Sequence, residues 1–257
     1  LSITCAFAFV GCGEDEICDG KACADGEILD TSTCDCVSTV PCPDVTCADD
    51  EILNAADCTC VDVGSEVIEV TESISDDVTW TSDKAYHLGG RITVLPGATL
   101  TIEAGTVIKG EAGIQANSTA LLVARGAKIE AKGTASAPIK FTSNSANPRP
   151  GDWGGIVIAG KTPTNKGATA ESEVAGLNYG GTDAADNSGT LTYVIAEYTG
   201  AKINGDQEFN GISLYTVGTG TTINNIAVFN GADDGVEFFG GTVSVENILC
   251  VNIKDDM

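Results

Sequence analysis

The sequence predicts an all-β chain, a parallel β-helix (solenoid) preceded by two small disulfide-rich modules. Three observations carry this expectation. From about residue 65 onward, short β-rich runs alternate with turns containing Gly and Asn. Segments in the second half repeat at offsets of 22–31 residues. In the first quarter a four-cysteine pattern recurs 24 residues on. The 257 residues are 42% hydrophobic with 31 Gly and 7 Pro, enough for one large domain with small modules attached.

Residues 1–12 read as a processing signal. LSITCAFAFVG is apolar and uncharged, like the h-region of a signal peptide, and it is too short to span a bilayer. FVGC, ending at Cys12, resembles the lipobox of bacterial lipoproteins, whose cysteine is lipidated; Phe9 stands where Leu is usual. The acids Glu14, Asp15 and Glu16 resemble the short signal that sends Bacteroidetes lipoproteins to the outer face of the outer membrane. The expected location is therefore the cell surface, on the extracellular face, with a lipid anchor in the outer membrane. The chain lacks an initiator Met and stops at Met257 in mid-coil, so it is expected to be a fragment cut at both ends.

Residues 13–63 hold the cysteine repeat. Cys18, Cys23, Cys34 and Cys36 recur as Cys42, Cys47, Cys58 and Cys60, with the tripeptide EIL shifted by the same 24 positions. A module of that length buries too little apolar surface to fold alone, so crosslinks must substitute for a core. Cys34 and Cys36 are too close to pair, which leaves two connectivities. Zinc is the rival reading; an exported chain and the lack of two-residue knuckle spacing favour disulfides. The C-x4-C-x10-C-x-C spacing resembles the repeats of Balbiani-ring-type secreted proteins and of some growth-factor propeptides, which are structural modules. An acidic, stiff spacer and small modules of no assigned purpose are both open readings.

Residues 64–257 form the long domain. Its runs include RITV at 91–94, ATLTIE at 98–103, GTVIKG at 105–110, ALLVA at 120–124, AKIEA at 127–131, PIKFTS at 138–143 and GGIVIAG at 154–160. Each is too short for an ordinary sandwich. NNIAVFNGADDG (224–235) superposes on ENILCVNIKDDM (246–257) at an offset of 22, and NGISLY (210–215) on DGVEFF (234–239) at 24. VIAEYTGA (194–201) lies 31 residues before NIAVFNGA (225–232). Three short strands per such period is the pattern of a parallel solenoid, whose coils stack about 4.8 Å apart. Asn225 and Asn247 are expected one above the other at a bend, as an amide ladder. Cys250, aligned with Val228, is expected inward and inert. Phe238 and Phe239 should face opposite sides, one core and one exposed.

The same residues carry a resemblance. VLPGATLTIEAGTVIKG, ALLVARGAKIEAKGTASAPIKFTS, GDWGGIVIAGKTPTN and FNGISLYTVGTGTTINNIAVFNGADDGVEFFGGTV are similar to a family of bacterial surface lipoproteins, common in Bacteroidetes. The resemblance implies a right-handed parallel β-helix at the cell surface and implies no established activity.

Charge and the acidic turns bound the function. The formal charge is −24, with 20 acids against Lys21 alone between Gly13 and Asp83. Such a chain repels phosphate backbones, so nucleic acid is excluded as a partner. A Ser-His-Asp arrangement would have to use His87, and nothing around it suggests one. Asp206 and Glu208, then Asp233, Asp234 and Glu237, then Asp255 and Asp256 fall on turns of successive coils. Stacking makes them one acidic column, which invites a cation, and Ca²⁺ fits a loose set of carboxylates and turn carbonyls best. Turn-forming residues without a metal, and a catalytic site like the Asp clusters of pectate lyases and polygalacturonases, are the other readings. Trp153 is a candidate for stacking on a sugar, or a brace at a bend. The loops SNSANPRPGD (143–152) and KTPTNKGATAESEVAG (161–176) are where ligand specificity would lie. The expected function is a non-enzymatic surface protein acting in adhesion, glycan contact or spacing, with an extracellular glycan or surface protein as partner. A polysaccharide lyase or hydrolase, and a self-assembling solenoid, are the alternatives.

Overall fold

The structure is a computed structural model that describes the backbone of four short strands in the first quarter and residues 66–256 apart from 206. The chain divides into two compact units, Leu1–Val61 and Asp62–Met257. In the first, β1 (Glu27–Asp30) and β2 (Asp35–Ser38) form an antiparallel pair with Leu29 opposite Cys36. The second cysteine repeat contributes β3 (Glu51–Asn54) and β4 (Thr59–Asp62), again a two-stranded sheet. The two copies of the 24-residue repeat thus carry strands at matching positions. Cys12, Cys18, Cys23, Cys34, Cys42, Cys47 and Cys58 lie outside the described residues, and the side chains of Cys36 and Cys60 are not described.

The second unit is a parallel β-helix. Its first coil runs through β5 (Glu66–Val70), a bridge at Ile74 and β6 (Val78–Trp80). The second follows as β7 (Lys84–Leu88), β8 (Arg91–Val94) and β9 (Thr99–Ile102). The third is β10 (Val107–Gly110), β11 (Ala120–Val123) and β12 (Lys128–Lys132). The fourth starts with β13 (Ile139–Ser143) and β14 (Ile156–Ala159), then leaves the stack for the hairpin β15 (Ala170–Glu171) and β16 (Asn178–Tyr179). It returns in β17 (Gly189–Glu197), and β18 (Ile212–Val217), β19 (Thr222–Phe229), β20 (Val236–Gly241) and β21 (Val245–Val251) complete the climb.

Each position in a coil pairs in parallel with its counterpart above, giving three sheets. The first sheet runs β5-β7-β10-β13 and on through the second halves of β17, β19 and β21. The second is β8-β11-β14-β18-β20. The third is β6-β9-β12, then the first halves of β17 and β19 and the start of β21. The last three long strands serve two sheets because each bends at one left-handed residue: Tyr193 (φ 49°), Asn225 (φ 52°) and Asn247 (φ 55°). Asn tolerates that conformation better than other non-glycine residues, which explains its recurrence at the bend. The expected stacking of Asn225 on Asn247 therefore holds in position. The inter-coil amide bond lies at the next corner, where Asn252 Nδ2 donates to Asn230 Oδ1 at 2.6 Å.

Stacking makes the core a set of columns. Ile68, Tyr86, Ile108, Phe141, Ala196, Val228 and Cys250 succeed one another inside the first sheet. Trp80, Ile102, Ala131, Leu191, Ile223 and Val245 do so inside the third. Most are fully buried, and each large aliphatic side chain so placed contributes on the order of 1.5–3 kcal/mol. Cys250 sits in its column as expected, packed against the core, and burial pushes its thiol upward.

Two expectations need correction, and a third is met in an unusual way. The offset from Val194 to its partner Ile226 is 32, one more than the sequence alignment at 31. Identity of the GA dipeptides favoured the shorter offset, but it would turn half-exposed Ile195 inward in place of buried Val194. Trp153 is not a ligand-contact residue. It is 0% exposed, donates from Nε1 to the Glu197 carbonyl at 2.7 Å, and stacks on Phe141 with centroids 6.2 Å apart. A Cβ on Gly110 would stand 2.8 Å from the Trp153 Cβ, so that glycine is what admits the ring. Phe238 and Phe239 face opposite sides, one covered and one exposed, as expected; the exposed one is Phe238, 48% exposed on the inner column above Leu214. Phe239 is the covered one, stacked on Tyr215 at 4.0 Å on the outer side.

Replacing Trp153 with Ala removes a filled core position. The expected loss is about 3–5 kcal/mol, read as a lower urea midpoint; a loss below about 1 kcal/mol would contradict the bracing role.

Candidate metal centre

The acidic turns gather at the corner between the first and second sheets. Asn230 (φ 56°) and Asn252 (φ 57°) turn the chain there in successive coils, placing Asp233–Asp234 under Asp255–Asp256. Backbone bonds lock the two turns together. Gly235 N–H donates to the Asp256 carbonyl at 3.0 Å, and Lys254 N–H to that of Gly231 at 3.2 Å. From below, Gly211 N–H donates to the Asp234 carbonyl at 2.8 Å. The Asp256 N–H donates to Asp234 Oδ1 at 2.8 Å, so one carboxylate oxygen of Asp234 also ties the coils.

Asp233, Asp234 and Asp255 each offer a carboxylate oxygen within 4.8 Å of the others. At that separation two negative charges repel by about 1 kcal/mol in bulk water and about 3 kcal/mol at the effective dielectric of a protein surface. Asp233 and Asp234 are half-buried and Asp255 is exposed. Burial first, then the charges of Asp234, Glu208, Asp255 and Glu173, push the Asp233 carboxyl from its ordinary 3.8 up to about 6. Glu237 is also raised, by burial and by Asp234, Glu173 and Asp233, against a lowering hydrogen bond from Asn210 Nδ2 at 2.6 Å.

The sequence-predicted residues divide into three groups. Asp233, Asp234 and Asp255 form the compact cluster, with Glu208 and Glu237 close enough to act on its charges. Asp256 contributes its backbone, and its side chain is exposed. Asp206 lies outside the described residues. Glu208 pairs with Lys202 Nζ at 2.6 Å. Glu173, which no repeat singles out, reaches the same corner from the excursion between β14 and β17. Only the folding of residues 161–187 against the solenoid brings it there, and its one sequence signal is membership of the loop 161–176.

One coil below Asp234 in the stack stands Asn210. Asn210 is 4% exposed; its Nδ2 donates to Ser213 Oγ and Glu237 Oε2, and its Oδ1 has no hydrogen-bond partner among the described residues. Carboxylates are acceptors and cannot satisfy another acceptor. The donor set is all hard oxygen, which suits Ca²⁺.

The sign of the pH effect follows from the raised Asp233. The folded chain holds that proton more tightly than the unfolded chain, so the contribution to stability is full below about 4 and is lost as pH rises through about 6. Without divalent cations, Asp233→Asn is expected to melt roughly 1–3 °C above the natural chain at pH 7.5 and level with it at pH 4. Equal melting temperatures at both pH values would contradict the electrostatic strain.

Comparison with known proteins agrees with this architecture. The family model described as pectate-lyase-like beta helix domain matches residues 72–257. No curated protein and no solved structure gives a match. The match covers nearly the whole solenoid unit, and the chain belongs to the family of pectate-lyase-like β-helix domains.

Proposed function

We propose that this protein is a non-enzymatic surface β-helix, anchored in the outer membrane through a lipid on Cys12. In this reading its acidic corner takes up Ca²⁺ as a structural clamp between coils. The observation that carries the clamp is the Asp233–Asp234–Asp255 cluster, built on turns already tied by backbone bonds. An ion there converts mutual repulsion into shared attraction, and it does so between successive coils. The surface role is contact with an extracellular glycan or another surface protein, with the cysteine modules as the spacer.

A second reading is a polysaccharide lyase or hydrolase acting on this edge. What favours it is a carboxyl raised to about 6, in the range of a general acid or base, within a family named for pectate lyases. Against it, the nearby Lys202 is engaged by Glu208. A lyase needs a base over the metal.

Calcium titration separates the readings. At a hundredfold excess over Kd, the natural chain is expected to melt roughly 5 °C or more higher, and Asp233→Asn/Asp234→Asn to lose the shift. Polygalacturonate is expected to give no unsaturated product by ultraviolet absorbance. An unmoved melting temperature would remove the clamp, and calcium-dependent product formation would establish the second reading.

A further inference from the structure

Between the first and second sheets the coils turn over corners of very different length. In the second coil the corner is only Gly89 and Gly90, between β7 and β8. In the third it spans residues 111–119 and holds a 3₁₀ turn at Gln115–Asn117. A recess of about 500 Å³ lies between the short corner and the long one, lined by Gly89, Gly90, Arg91, Ala116, Asn117 and Ser118. None of the six is acidic, in a chain whose formal charge is −24.

Arg91 opens β8, and the alternation that turns Ile92 and Val94 into the core turns Arg91 outward. Its guanidinium is fixed along one edge. Nε and Nη2 donate to Ser118 Oγ at 3.3 and 2.8 Å, and Nη2 also donates to the Gln115 carbonyl at 2.8 Å. The group stands over the ring of buried Phe209, 5.5 Å from its centroid. Bracing the 115–118 turn occupies that edge alone. Nη1 makes no hydrogen bond, and Arg91 no ion pair, among the described residues. Two more donors on the recess are unengaged among the described residues, the Gly90 N–H and the Asn117 side-chain amide. Gly90 has a negative φ, and a Cβ there would meet nothing within 4 Å. Neither backbone conformation nor packing demands glycine at this place; its missing side chain keeps the recess open.

We propose that this recess is an oxyanion site, in which Arg91 Nη1, the Gly90 N–H and the Asn117 amide receive a carboxylate or sulfate group. A guanidinium already held in place loses little freedom on binding, and charge-assisted hydrogen bonds are the strong ones. The group comes either from a free small anion or from an acid sugar. The second source rests on the glycan contact proposed above and makes that glycan an acidic one. The site is independent of the calcium clamp, since it holds no carboxylate and is built from the second and third coils.

Amide chemical-shift titration of the full chain, at constant ionic strength in NaCl, tests it with sodium sulfate, sodium glucuronate and uncharged glucose. Sulfate or glucuronate is expected to move the Gly90 amide saturably, and glucose to leave it in place. Arg91→Gln and Gly90→Ala are each expected to weaken binding about tenfold or more. Gly90→Ala is expected to do so at an unchanged melting temperature, because its Cβ stands in open space. Glucuronate binding tighter than sulfate assigns the site to an acid sugar, and sulfate binding as tightly or more so assigns it to a free anion. No saturable movement of Gly90 with either anion, equal movement with glucose, or undiminished binding in either variant would overturn the oxyanion site. Each of those results would leave a glycan contact elsewhere on the surface standing.

Discussion

Parallel pairing of each strand with its counterpart one coil on is the constraint from which the rest of the solenoid unit follows. Backbone bonds fix the spacing at about 4.8 Å, so every side chain meets the residue at the same position in the coils above and below. For apolar residues this is favourable, and the columns from Trp80 to Val245 and from Ile68 to Cys250 are the result. On the outer side Tyr215 and Phe239 obey the same rule, stacked at 4.0 Å, and Tyr179 of the excursion lies tilted against Tyr215 at 5.1 Å. Where the repeated residue is an acid, the rule works against stability. Asp234 and Asp256 lessen the cost through a carboxylate-to-amide bond, but Asp233 stays crowded and its carboxyl rises.

That crowding gives the acidic corner its functional interest. The turns there need neither two adjacent aspartates nor a buried amide, since Asn230 and Asn252 already set the backbone. The acids add repulsion to a corner that is otherwise well bonded. The proposed Ca²⁺ would turn this repulsion into shared ligation by the three carboxylates. The glycines nearby are governed by the same close stacking. A Cβ on Gly211 would stand 2.3 Å from the Gly235 carbonyl, and one on Gly235 would stand 2.5 Å from Cys250 Sγ.

Much of this fold was legible in the residues. The runs from RITV to GGIVIAG are strands β8 to β14, and the offsets of 22 and 24 are the true registers of β19 with β21 and of β18 with β20. Offsets report stacking only where successive coils have similar loops. Phe141 pairs with Ile108 at an offset of 33, and Val194 with Ile139 at 55, because excursions intervene, and no repeat could show either. The slip from 32 to 31 at Val194 arose where Gly-Ala identity in a turn outweighed the inward alternation of the strand. Trp153 was ambiguous because a tryptophan in a glycine-rich loop fits a sugar platform as well as a core plug; the space above Gly110 decides it. Glu173 was hidden because its place depends on where a long loop folds back, which periodicity does not encode.

Terbium luminescence would show whether the acidic corner is a cation site. Tb³⁺ replaces Ca²⁺ in oxygen sites, and Tyr215 stands beside this one as a sensitiser. A cation site there is expected to give tyrosine-sensitised emission that saturates, is displaced by Ca²⁺, and disappears in the triple variant Asp233→Asn/Asp234→Asn/Asp255→Asn. Emission of equal strength in that variant, or none in the natural chain, would contradict it.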